Sequence, residues 1–220
     1  MFAATSDPWL RWGWVQDHLD DIGSASREHV ELTVIAVALG LAISLPLGVL
    51  AARWRPLLPP VLWVTGVLYT VPSIALFVLL IPWTGLSRTS ALIGLVSYTL
   101  LILVRNVVAG LDGVPPDVRE SASAMGYTPF GRLVRVELPL AAPAIIAGIR
   151  IATVTTIGLV TVTALIGQGG LGRLILQGLR LDFRTPLVVG SVLSVAFAVL
   201  ADLGLVAVQR LAAPWERRRS

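Results

Sequence analysis

The chain has 220 residues, 55% of them hydrophobic and 14% charged, and its mean hydropathy of +0.82 leaves too little polar surface to cover a water-soluble globule. The net charge of +4 rests on arginine alone, since all 17 basic residues are Arg. A chain without lysine cannot build the Gly-Lys-Ser/Thr phosphate loop of a P-loop ATPase, and a chain without cysteine has no disulfides and no thiol-ligated metal or iron–sulfur site.

The amino terminus, "MFAATSDPWLRWGWVQDHLDD", lacks the basic start and apolar core of a cleavable signal. Pro8 can occupy a first helical turn after Asp7, and Trp9, Trp12, Val15, Leu19 and Ile22 recur at helical spacing, with Asp17, Asp20 and Asp21 directed elsewhere. Residues 1–28 are therefore expected to form an outer interfacial segment, either a tryptophan anchor at the headgroups or a docking surface for an outer partner. His18 and His29 are too few and too isolated for a metal site, and both are expected to be ordinary polar residues near the outer interface.

Five apolar runs follow. Leu32 to Ala52 holds 21 residues without a charge, enough to cross a hydrocarbon core of ~30 Å as a helix. The others run roughly from Leu57 to Trp83, Thr89 to Leu111, Leu138 to Ile166 and Pro186 to Arg210. The expected fold is an all-α integral membrane protein of about five transmembrane helices, a single permease domain over residues 29–210 with a basic tail over 211–220. Arginine sets the orientation. With the amino terminus outside, Arg53, Arg55, Arg105, Arg119, Arg132, Arg135, Arg210, Arg217, Arg218 and Arg219 face the cytoplasm, against Arg11, Arg27, Arg88, Arg173, Arg180 and Arg184 outside. This arrangement puts the carboxyl terminus inside. It also explains the arginine excess without nucleic acid, the tail being matched to anionic lipid headgroups.

Several features interrupt the apolar runs. In the second, Thr70, Pro72 and Ser73 break the pattern, and Pro72 frees a carbonyl that needs protein or a water-lined cavity. The fourth repeats Thr153, Thr155, Thr156, Thr161 and Thr163. These residues either pack helices through small side chains or form a neutral polar wall for a hydrated solute, with Thr70, Pro72, Ser73, Thr153 and Thr156 as candidates for the translocation path. Arg150 lies 11 residues after Pro139, about 16 Å along a helix, and Asp202 lies eight before Arg210, about 12 Å. Similar depths make them candidates for a buried ion pair, with a dimer-interface or helix-terminus role for Arg150 and direct solute contact as the alternatives. The glycine cluster Gly167 to Gly172 follows a membrane helix with no strand before it, so it is expected to be a turn leading to a short helix, Leu171 to Leu181, and not a dinucleotide site.

Between the third and fourth runs lies "RESASAMGYTPFGRLVRVELPL". Pro115 and Pro116 end one helix, Asp117 opens a short one through Met125, and Gly126 stops it. Val118, Ala122 and Met125 form an apolar stripe, with Arg119, Glu120 and Ser123 away from it. Thr128-Pro129 starts a second short helix, with Phe130, Leu133 and Val134 on one side and Arg132 and Arg135 on another, and Leu138-Pro139 is expected to end it and launch the next span. The result is either a surface-lying loop or a knob shaped for a partner's cleft.

Glu120-Ser121-Ala122, three residues, Gly126, nine residues, Val136, one residue, then Leu138-Pro139 resembles the EAA loop of ABC importer permeases, with Ser121 for alanine and Val136 for isoleucine. "YTVPSIALFVLLIP", "LPLAAPAIIAGIRIATVTTIG" and "ALIGQGGLGRLILQGL" are similar to permeases of osmoprotectant importers, over roughly residues 25 to 207. That resemblance implies a methionine-permease-like core in the bacterial plasma membrane, importing glycine betaine, carnitine, choline or proline betaine and performing no enzymatic reaction itself. It implies a separate ABC ATPase binding ATP and Mg, which docks on the coupling loop 115–139 through Glu120, Ser121, Ala122, Gly126, Val136, Leu138 and Pro139. A second permease, identical or a sister subunit, and an extracytoplasmic substrate-binding protein complete the implied assembly. The outer segments are too short for a fused binding domain, so cargo capture is expected from that separate protein. Methionine or another small polar solute is the alternative cargo. An ion-gradient-driven secondary transporter is the alternative class, opposed by the lack of an internal repeat or an intramembrane acidic relay.

Overall fold

The computed structural model describes residues 8–212, and every regular element among them is helical. A six-residue helix, α1 (Trp12–Asp17), ends at His18, whose Nδ1 donates to the Trp14 carbonyl at 2.8 Å. The next helix, α2 (Leu19–Arg53), starts inside the segment expected to be interfacial. Asp20 and Asp21 fall in its first turn, where acidic side chains complement the helix dipole and make an early start favourable.

The second apolar run does not form one straight span. After a 3₁₀ turn (Arg55–Leu57), α3 (Leu58–Thr70) stops, Pro72 adopts an extended conformation (φ −56°, ψ 132°), and α4 (Ser73–Thr84) begins. The reason is local: proline has no N–H to continue the ladder and disfavours helical geometry at the residue before it. The remaining long helices are α5 (Arg88–Asp112), α8 (Leu138–Val162) and α10 (Arg184–Ala212), with α6 (Pro116–Ala124) and α7 (Pro129–Arg132) between α5 and α8, and α9 (Leu171–Arg180) before α10. Among the described residues four helical runs are long and apolar enough to cross a membrane, or five if the broken α3–α4 pair counts as one span.

The second short helix also differs from expectation. Leu138-Pro139 does not end it. The chain runs from α7 through a π turn (Leu133–Glu137) straight into α8, and the Leu138 N–H donates to the Leu133 carbonyl five residues back. Pro139 has no N–H to offer the residue four before it, and its ring crowds that carbonyl. A wider turn just upstream accommodates the ring without breaking the helix.

The chain divides into two compact units whose boundaries pass through α2, α5, α8 and α10. One comprises residues 8–36, 71–95 and 155–200. Its core is built from Ala25, Leu171 and Leu174 with Trp14, Ile22, Val189, Leu193 and Phe197 packed around them. Within it the glycine cluster turns tightly into α9. Gly170 has φ +48°, and a Cβ there would lie 2.5 Å from the Ala25 carbonyl oxygen and 2.6 Å from the His29 nitrogen, so only glycine lets this turn lie against α2. Glu28 fixes the approach by accepting from the Gly169 N–H at 3.2 Å and pairing with Arg173 at 2.6 Å.

The other unit comprises residues 37–70, 96–154 and 201–212. Ala51, Val61, Val104 and Val108 form one buried cluster; Val107, Leu111 and Ala141 form another, against which Leu133 and Leu138 pack. Here α5 and α8 cross at close quarters, since a Cβ on Gly148 would come within 2.5 Å of the Asn106 Cβ. Small residues at such crossings substitute close van der Waals packing for the hydrophobic drive that lipid cannot supply.

Candidate functional site

Residues 115–139 stand on the second unit as two short helices meeting at a glycine. Pro115 is extended, Pro116 opens α6 at a position where a missing N–H costs nothing, and the helix ends at Met125. Gly126 follows with φ +85°, a left-handed residue that closes the helix and turns the chain. Thr128 then caps α7, its hydroxyl accepting from the Gly131 N–H at 3.1 Å.

The motif residues divide by direction. Ala122 is buried, and Val136 and Leu138 are half-buried, so these three seat the loop. Glu120, Ser121, Gly126 and Pro139 are exposed. The stripe expected over Val118, Ala122 and Met125 is incomplete, because Met125, the last of the three, stands at the helix terminus, 71% exposed. Phe130, 74% exposed, stands across from it, and together with Tyr127, Thr128 and Val134 they border a shallow groove of about 570 Å³ around Gly126. Exposed Met and Phe beside a backbone with no Cβ, with Arg135 also lining the groove, make a surface that is adaptable, partly apolar and closely approachable.

An ionic network that the sequence did not reveal holds the loop's base. Glu137, 3% exposed, accepts from Arg53 Nη2 at 3.1 Å to each carboxylate oxygen and from Arg132 Nε at 2.7 Å. Arg132 Nη1 continues to the Ser123 hydroxyl at 2.7 Å, tying α7 to α6. Arg119 reaches back to the Leu111 carbonyl, and Arg55 forms a two-armed pair with Asp112 at 2.6 and 3.1 Å. Three of the arginines that the sequence offers as topology markers, Arg53, Arg119 and Arg132, thus also brace this loop, and Arg55 pairs at the end of α5 just before it. Glu137 occupies the single unspecified position between the motif's Val136 and Leu138. The available signal was an acidic residue at the mouth of an apolar run with arginines upstream.

The structure brings Arg150 and Asp202 together, with Nε to Oδ1 at 2.9 Å and Nη2 to Oδ2 at 3.1 Å, and adds Gln209, which accepts from Nη1 at 3.2 Å. The pair is only partly covered by this chain, at 28% and 38% side-chain exposure. The five path candidates vary in setting. Thr70 and Pro72 are exposed, and Ser73 and Thr153 half-buried. The hydroxyls of Thr70 and Thr153 bond to their own helices at Val67 and Ile149. Thr156 is buried, and its hydroxyl finds no hydrogen-bond partner. Of the two histidines, His18 stacks on Trp14 at 4.3 Å, whereas His29 is fully buried against the Phe197 ring.

Comparison with known proteins gives these features a common setting. The osmoprotectant import permease protein OsmW of Salmonella typhimurium is 38% identical over 194 residues, covering 86% of this chain and 90% of that protein. The choline transport system permease protein OpuBB of Bacillus subtilis is 36% identical, covering 85% and 86%. The permease fold of the MetNI methionine ABC transporter in an inward-facing conformation superposes with a TM-score of 0.79 at 24% identity, covering 89% of this chain and 98% of that one. Residues 44–214, which include the loop, its ionic braces and the Arg150–Asp202 pair, match the family described as binding-protein-dependent transport system inner membrane component. The chain is a multi-pass inner-membrane permease belonging to that family.

Proposed function

We propose that this chain is the permease subunit of an ATP-driven importer of small quaternary-ammonium osmoprotectants, with glycine betaine, carnitine, choline and proline betaine as the cargo class. The observation that carries the reading is the Gly126 groove, because it sets exposed Met125 and Phe130 beside a left-handed glycine inside an EAA-type motif. A separate ATPase, which binds the ATP and Mg, docks there. The relatives named for osmoprotectant and choline transport support the cargo class. An extracytoplasmic binding protein delivers the solute, and a second permease completes the pathway. The loop and the carboxyl terminus face the cytoplasm.

In this reading Glu120, Ser121 and Gly126 meet the ATPase, while Ala122, Val136 and Leu138 seat the loop and Pro139 stands in the first turn of α8 that carries its motion onward. Thr70, Pro72, Ser73, Thr153 and Thr156 contribute small and neutral polar groups to the solute's path, and Arg150 with Asp202 is a structural pair. ATP binding draws two ATPase subunits together, moves the loops with them, and opens the pathway outward. The test is uptake of labelled glycine betaine, choline, carnitine and methionine by proteoliposomes holding the complete importer, with and without ATP. ATP-dependent uptake of the quaternary amines is expected. Uptake confined to methionine, or driven by an ion gradient without ATP, overturns the reading.

A further inference from the structure

Glu137 carries an unusual load for one carboxylate. It is almost completely buried, it serves two guanidiniums from different elements, and it lies in the only π turn among the described residues. At 3.6 residues per turn, side chains five apart in a regular α-helix stand about 140° apart around the axis. Arg132 and Glu137 are five apart and could not meet in such a helix. The π turn stacks residues five apart on one face, which brings Arg132 Nε to 2.7 Å from Glu137 Oε1. The same carboxylate faces Arg53, the last residue of α2.

The two guanidiniums lead to different parts of the molecule. Through Arg132 and Ser123 the network grips both short helices of the loop. Through Arg53 it grips the end of α2, which is 84 positions away in sequence. Near this junction, Leu133 and Leu138 add apolar contacts between the loop base and the α5 and α8 cluster. We infer that Glu137 is a positioning residue of the transport cycle: the Arg132–Glu137–Arg53 network makes the end of α2 follow the loop when the ATPase moves it. The inference rests on the loop being the ATPase docking point, and it extends that reading from the docking surface to the route by which movement leaves it. Removing Glu137's charge leaves the half-buried Arg132 and the more exposed Arg53 without their shared counter-charge, so the connection between them is lost.

Two readouts separate this role from a purely structural one. The first is solute imported per ATP hydrolysed by the reconstituted importer. Glu137→Gln is expected to assemble and hydrolyse ATP while the ratio falls at least about fivefold, with Glu137→Asp partly restoring it. Arg53→Gln, at a half-exposed position, should give a similar fall, and the double variant should be no worse than either single one because both break one connection. The second readout uses the chain's lack of cysteine, which lets spin labels be placed at Trp54→Cys and Met125→Cys alone. Their distance distribution in the lipid-embedded permease should be narrow in the parent and broadened by Glu137→Gln. It requires neither cargo nor ATPase, so a wrong cargo class would leave this result standing. An unchanged import-per-ATP ratio in the assembled Arg53→Gln importer, or an unchanged label distribution in Glu137→Gln, overturns the inference. So does failure of both variants to assemble, which would assign the network to folding alone.

Discussion

Gly126 has φ +85° and open space where a Cβ would be, so a side chain there costs backbone strain of only about 1 kcal/mol and no clash within the chain. Gly126→Asp should therefore insert and fold normally but lose ATP-driven uptake, because bulk and charge are added to the docking groove. Gly126→Ala, which brings comparable strain without the charge, should keep a measurable rate. Surface expression and uptake measured together distinguish the two effects. Uptake at the parent rate by the aspartate variant removes the groove from the coupling mechanism. For Arg150 and Asp202, the two-armed geometry predicts a coupling energy of about 1 kcal/mol or more in a double-mutant cycle using Arg150→Gln and Asp202→Asn, read from thermal unfolding in detergent. Additive losses would reduce the pair to coincidence. Both residues were legible in the sequence because a charge inside an apolar run stands out. The partners of Glu137 were not, since Arg53 lies 84 positions away and nothing local announces which arginine a lone carboxylate will meet.

Among the helices, α8 offers a comparison between two glycines in the same element. Gly148 faces Asn106, and a Cβ there would fall 2.5 Å from the Asn106 Cβ, an atom fixed to the α5 backbone and unable to swing away. Gly148→Ala should destabilise the permease by about 1–3 kcal/mol, the usual range for overpacking. Gly158 meets nothing within 4 Å, so Gly158→Ala should be neutral or stabilising by up to about 1 kcal/mol from helix propensity. Melting temperatures of the two purified variants test this, and equal shifts would contradict the α5–α8 contact. The long helices were readable from their apolar runs, and the break at Pro72 from the missing N–H. The passage from α7 into α8 was misread for an equally physical reason. Leu138-Pro139 is a sound stop signal for an α-helix, but it does not anticipate a π turn that absorbs the proline and lets the helix continue.

The whole molecule is a set of apolar helices whose exposed residues include Val192, Val195, Val199, Leu200 and Leu203 on α10, a surface suited to lipid or to another membrane chain and not to water. The orientation argued from arginine can be tested directly because no native thiol competes. A membrane-impermeant maleimide applied to intact cells should label Ser24→Cys and leave Ser121→Cys unlabelled until the membrane is opened, and the reverse pattern inverts the topology. Fold class was legible because the bilayer permits so few solutions to backbone hydrogen bonding that composition nearly decides among them, whereas the family was legible from the resemblance of Glu120 to Pro139 to the EAA loop. The packing within each unit was not, because it depends on close approaches such as Gly170 against α2, where a missing side chain leaves no periodic trace.

The π turn has one more consequence. Segments joining membrane helices ordinarily tolerate changes in length. Here the loop and the following span are one helical run, so adding a residue between Leu133 and Glu137 would not lengthen a slack tether but shift the phase of a screw. Everything beyond would turn by about 100° and slide by about 1.5 Å relative to the loop. The same apolar side chains would then be presented to the wrong neighbours, and the two ends of the run would fall out of step with every residue still present.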